Sequence, residues 1–132
     1  LIVIDASSVV GAALKANSIP WEALVRIRGH DRIAMSNDVA AEIRIVLRRP
    51  KFARVITEDR INDIEAMLFA EAAWFDPAAS VADCRDPNDN KYLELALAAN
   101  AGFLISSDKD LLALHPWRGI RILTPAQYLV LG

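Results

Sequence analysis

The chain has 132 residues, 54% of them apolar, which suits one domain with a substantial core. A formal net charge of −2, from 15 basic and 17 acidic residues, argues against a generic nucleic-acid binder with a basic excess. No apolar run reaches the roughly 18–20 residues of a membrane span, and the lone Cys84 excludes an internal disulfide or a cysteine zinc site.

Leu1 to Ile4 is a continuous apolar run ending in Asp5, the pattern of a strand buried on both faces. It is too short, and wrongly flanked, for a signal peptide. With no Met at its head, a residue or two is expected before Leu1, and a cytoplasmic protein is the simplest expectation. Ser7-Ser8 can cap a helix from Val9 to about Ala16. Pro20 opens a second helix to about Arg28, closed by Gly29, and Arg32 to Ser36 forms a short strand. Asn37 or Asp38 caps a helix that runs to Arg49, where Pro50 stops it. A longer helix, about Thr57 to Ala72, carries Ile61, Ile64, Leu68 and Ala72 at helical spacing.

Ala73 to Phe75 is a third strand, ended by Asp76-Pro77, and residues 77–87 form a loop. Asp86-Pro87 starts a helix from Asn88 to Asn100, ended by Gly102. Phe103 to Ser106 is the fourth strand, Leu111 to Leu114 a short helix, and Ile120 to Leu123 the fifth strand. Pro125 starts a last helix. No linker, repeat or low-complexity segment interrupts the order, so residues 1–132 read as a single domain. Strands separated by helices imply an α/β fold, with a mostly parallel central sheet of about four to five strands and helices on both faces.

In such a sheet, ligands bind beyond the carboxyl ends of the strands, near the point where strand order reverses. Asp5 follows the first strand directly, and Asp108 follows the fourth by two residues. Asp86 and Asp89 open the helix that feeds the fourth strand, and Glu42 lies one turn into the helix after Ser36. Each acid also has a plain structural account. Asp86 can cap its helix with Asp89 completing a capping box, Asp108 can cap its own helix, and Glu42 can pair with Arg44 or Arg49. Asp5 is harder to account for in that way, because a carboxylate at the end of a buried strand needs a partner. Carboxylates crowded at one mouth must protonate or share a cation. Mg²⁺ or Mn²⁺ suits such an oxygen-rich site.

Arg44, Arg48, Arg49, Lys51 and Arg54 crowd one stretch, as either a phosphate-binding surface or a solvated helix end. Trp21, Trp74 and Trp117 suit stacking on bases or burial. His30 and His115 each stand beside a turn and are set aside. Mean hydropathy of +0.23 points to apolar surface covered by a partner.

With these residues located, the chain resembles the PIN-domain family, in particular the toxin branch of bacterial toxin–antitoxin pairs. The likeness runs through VIDASSVVGAAL, SNDVAAEIRIVLRRPKF, CRDPNDNKYLELALAANAGFLISSDKDLLAL and GIRILTPAQYL. It implies a three-layer α/β/α domain that holds Mg²⁺ or Mn²⁺ on acids and cuts single-stranded or structured RNA. Carried across motif by motif, the acids are Asp5, Glu42, Asp89 and Asp108, with Asp86 as an additional ligand or cap. Ser106 stands where the family often has threonine and would orient an acid or a water; Asp110 would lie behind the ligands. Asp-Ala-Ser replaces the common Asp-Thr-Asn after the first strand. Arg44, Arg48, Arg49, Lys51 and Arg54 would meet RNA phosphates if the helix bearing Glu42 flanks the cleft, and the apolar excess fits a homodimer and a cognate antitoxin that docks a peptide segment.

A non-catalytic module of the same fold, binding RNA or a protein, is the alternative. A receiver domain would need paired acids after the first strand, and a haloacid-dehalogenase-like phosphatase a second Asp where Ser7 stands. Neither fits.

Overall fold

A computed structural model describes residues 1–131. Five short strands form in chain order: β1 (Ile2–Ile4), β2 (Ala34–Met35), β3 (Ala73–Trp74), β4 (Phe103–Ile105) and β5 (Arg121–Leu123). β1 pairs with β4 and β4 with β5, while β2 pairs with β3, every pair parallel. A parallel bridge between Ile2 and Ile33 carries β2 up to β1. The sheet therefore reads β3-β2-β1-β4-β5, and its order reverses between β1 and β4.

Among the described residues seven helices accompany the strands: α1 (Ala6–Leu14), α2 (Ile19–His30), α3 (Asn37–Leu47), α4 (Glu58–Phe69), α5 (Asn90–Ala99), α6 (Lys109–Leu112) and, after the last strand, α7 (Pro125–Val130). Right-handed crossovers send the connections toward β3 over one face and those toward β5 over the other. Accordingly α1 packs on α2, α3 and α4, whereas α5 lies against β1, β2 and β4. The result is a three-layer α/β/α arrangement. Its core is apolar on both sides of the sheet: Val3, Leu104 and Ile105 are fully buried, as are Leu24 and Ile27 on α2 and Leu93 and Leu95 on α5.

Several expected ends move. Asp5 rather than Ser7-Ser8 caps α1, through a bond from Ser8 N to its carboxylate, so the helix starts immediately after the strand. Ser36, not Asn37 or Asp38, caps α3 by accepting from Val39 N. Gly29 does not end α2, which continues to His30 because the Asp31 N–H still reaches the Ile27 carbonyl. Asn100, not Gly102, ends α5 in the left-handed conformation (φ 49°), a state its short polar side chain tolerates. The helix expected from Asn88 opens with a tight 3-10 turn over Pro87–Asp89 before α5. α3 ends at Leu47, two residues short of Arg49, and Pro50 opens a 3-10 turn to Phe52.

Candidate metal centre

The acids fall where a reversal in strand order opens a crevice. Asp5 continues β1, and its N–H donates to Ile105 O of β4. Ser106 continues β4, and its N–H donates to Leu123 O of β5. The two side chains meet across the reversal point: Ser106 Oγ donates to Asp5 Oδ2 at 2.5 Å and accepts from Asp108 N at 2.9 Å. One buried hydroxyl thus bonds the carboxylate of one acid and the backbone of another.

Asp5 is 2% exposed. It also accepts from Ser8 N at 3.0 Å and from Ser7 Oγ at 2.9 Å. Burial nevertheless pushes its carboxyl above the usual range, outweighing the hydrogen bonds from Ser106, Ser8 and Ser7. Asp89 is pushed up to about 7, first by desolvation, then by the adjoining Asp108 carboxyl and the charges of Asp86 and Asp5. Asp108 Oδ2 is buried with no hydrogen-bond partner. A buried carboxylate oxygen without a donor is costly unless a cation or a proton meets it.

The cleft holds about 360 Å³, and Asp5, Asp86, Asp89, Asp108 and Glu42 all line it. Among the described residues, no three carboxylates, histidines or cysteines gather tightly enough to enclose an ion by themselves. Mg²⁺ keeps several waters and takes few protein ligands, so an open acid mouth fits it better than it fits zinc or a caged calcium. The all-oxygen donor set and the orphaned Asp108 oxygen point the same way.

The plain structural accounts of these acids divide. Asp86 does cap the 3-10 turn, accepting from Asn88 N at 3.0 Å. Asp89 makes no capping bond, so the capping box does not form. Asp108 makes none either; its backbone carbonyl starts α6 instead. Glu42 pairs with neither Arg44 nor Arg49 but with Lys91, beside a bond from Asn88 Nδ2 at 3.3 Å.

The basic stretch disperses. Arg48 makes a two-pronged pair with Glu65 at 2.7 and 3.1 Å, and the Arg44 guanidinium sits 4.5 Å from the Phe69 ring centroid. Lys51 Nζ lies 5.1 Å from the Phe52 ring centroid, and Arg54 is exposed. Arg49, with Phe52, lines the acid cleft. Asp110 stands in the first turn of α6 outside that lining, close enough that its charge acts on Cys84. Trp117 is buried and donates to Asp83 at 2.8 Å, Trp21 carries the Arg60 guanidinium over its ring, and Trp74 packs on Phe69.

Sequence reasoning missed Ser7, Lys91 and Tyr92. Ser7 Oγ, besides donating to Asp5, accepts from Ser107 N at 3.2 Å and so ties the two loops of the crevice together. Tyr92 accepts from Ala6 N at 3.2 Å; burial first, then the charges of Glu42 and Asp5, raise its phenol. Helical spacing offered one clue: Tyr92 is three residues beyond Asp89, on the same helix face.

A comparison with known proteins adds two findings. Residues 1–110 match the family model described as PIN domain. An uncharacterized protein of Methanocaldococcus jannaschii is 28% identical over 116 residues, covering 86% of this chain and 74% of that protein.

Proposed function

The chain belongs to the PIN-domain family, and from that premise we propose that it is a metal-dependent endoribonuclease acting on single-stranded RNA, as the toxin of a toxin–antitoxin pair. The observation that carries the reading is the meeting of Asp5, Asp89 and Asp108 at the strand-order reversal, with one buried carboxylate oxygen left unpartnered. Asp5, Asp89 and Asp108 would hold Mg²⁺ or Mn²⁺, with Asp86 as a further ligand. Bound there, such an ion would lower the pKa of water and neutralise charge on the phosphoryl and leaving oxygens.

The chain's own residues supply the rest. Ser106 and Ser7 hold Asp5 in one orientation, so the ligand geometry is set before metal or RNA arrives. Lys91 and Asn88 hold Glu42 at the cleft, where its carboxylate orients the attacking water or adds a ligand. Arg49 meets the negative phosphodiester.

The partner assignment draws on exposed apolar side chains. Leu14 of α1, Ile19 and Val25 of α2 and Val130 of α7 leave apolar area that an antitoxin segment or a second copy would cover. Packing of α7 on α2 and β5 supports one domain over residues 1–132. No helix among the described residues is long and apolar enough to cross a membrane.

The test is cleavage of single-stranded RNA by antitoxin-free protein with Mg²⁺, with Mn²⁺ and with EDTA. Asp5→Asn and Asp89→Asn should each lose roughly 100-fold or more while remaining folded, the order of loss seen when charge stabilisation at a reacting phosphoryl or acyl group is removed. Metal-independent cleavage, or variants that cut as well as the wild type, would assign the activity to a contaminant. Absence of both cleavage and metal binding would leave a non-catalytic RNA- or protein-binding module.

A further inference from the structure

Beside its carboxylates the cleft has an apolar wall that metal binding and hydrolysis do not use. Val10, Val46 and Phe52 form it. Two aliphatic side chains at a cleft rim need no explanation beyond core packing. The Phe52 ring is only partly buried: it packs against the core and also lines the acid cleft.

Phe52 is also held firmly. Pro50 opens its turn with a fixed φ, and Phe52 N donates to Arg49 O at 2.9 Å. Phe52 O accepts from both Val55 N at 3.0 Å and Ile56 N at 2.8 Å, and Ile56 is 3% exposed. The ring therefore stands on a rigid corner anchored in the core. It is flanked by positive charge. Lys51 Nζ lies over one face of the ring, 5.1 Å from its centroid, which leaves the opposite face for a base, and Arg49 shares the cleft with five carboxylates yet forms no ion pair with any of them.

We propose that Phe52 is a stacking platform for one unpaired base next to the bond that is cut, with Arg49 and Lys51 meeting the phosphates that flank that base. The inference rests on the nuclease reading and deepens it: the substrate is RNA with at least one unstacked nucleotide at the cut. Stacking on an aromatic side chain is tolerant of sequence because every base has a π-face. A base inside a duplex keeps its own stacking partners and cannot use the ring. The cleft, at about 360 Å³, is near the lower end of ligand pockets (roughly 300–1,000 Å³), with room for a nucleotide rather than a helix.

The experiment uses a short single-stranded RNA cut at one mapped bond, and copies of it carrying one abasic nucleotide at each position in turn. Wild type, Phe52→Leu and Phe52→Trp are compared, each checked for an unchanged thermal transition. Phe52→Leu keeps apolar volume and removes the π-face. It should raise KM roughly 5- to 150-fold on intact RNA, the equivalent of one lost base–aromatic stack, with a smaller change in kcat. Phe52→Trp should restore KM. At one abasic position next to the cut, wild type should become as poor as Phe52→Leu, and the variant should lose nothing more.

An unchanged KM in Phe52→Leu, or a penalty that persists at every abasic position, would overturn the platform while leaving the metal-dependent nuclease intact. Wild-type protein that neither cuts nor binds the RNA would remove the nuclease reading, and the platform with it.

Discussion

At the scale of residues, the cleft is governed by the cost of keeping carboxylates close together. Asp5 is buried, Asp89 adjoins Asp108, and Lys91 is committed to Glu42. The proton on Asp89, retained up to about pH 7 in the metal-free protein, answers first to burial and then to that crowding. Its sign follows from linkage: between the unfolded value near 3.8 and the folded value of about 7, the folded state binds the extra proton. Stability from this group is therefore fully present at low pH and declines as pH rises through about 7. In EDTA, wild type and Asp89→Asn should unfold at similar urea concentrations near pH 4, and the variant should be the more stable of the two at pH 8. A wild-type advantage at pH 8 would mean that Asp89 carries no raised pKa. The same proton must leave when a metal binds, so affinity for Mg²⁺ or Mn²⁺ should weaken below pH 7.

At the scale of elements, helix ends and close approaches set where the acids point. The Asp5 carboxylate both ends β1 and caps α1, which leaves it no freedom to turn away from the cleft. The other end of that helix is fixed by contact with α2. Gly11 of α1 faces Pro20 of α2, and a Cβ placed at position 11 would lie 2.9 Å from Pro20 Cγ. A proline ring cannot swing aside as a long side chain can. Gly11→Val should therefore cost about 1–3 kcal/mol of stability, despite the poor helix propensity of glycine, as judged by urea unfolding. A variant as stable as wild type would show that α1 and α2 can separate freely. Arg60 of α4 adds to the same junction, donating to the carbonyls of Ala12 at 2.9 Å and Ala13 at 3.3 Å at the end of α1. Helix order and helix type were legible from apolar spacing and from Pro20, Pro50 and Pro125. The caps were less so, because Asp5, Ser7 and Ser8 are all plausible caps on paper. Only the position of β1 against β4 shows which side chain has reached the first turn.

At the scale of the whole molecule, the acids are gathered by the sheet from four separate stretches of chain, at residues 5, 42, 86–89 and 108. A cation that binds the gathered set binds the folded state alone, so it should stabilise the fold by mass action, by about 2.7 kcal/mol at 100 times its Kd. Thermal unfolding in increasing Mn²⁺ should move to higher temperature in wild type and much less in Asp108→Asn, which removes the charge behind the unpartnered oxygen. Equal shifts in both proteins would place metal binding elsewhere.

The sequence by itself determined the alternation of strands and helices, the parallel α/β class and the edge of the sheet where Asp5, Asp89 and Asp108 collect. Those features follow from local periodicity and from the rule that parallel strands all end on one side. The tertiary structure alone decided the partners. Ser106 meets Asp5 from 101 residues away, Lys91 takes Glu42 from 49 away, and only Arg49 of the basic stretch turns toward the acids while Arg48 goes to Glu65. The periodicity of a chain says which face a side chain occupies. Which group waits on the opposite face depends on how sheet and helices pack, and that is set by the core as a whole.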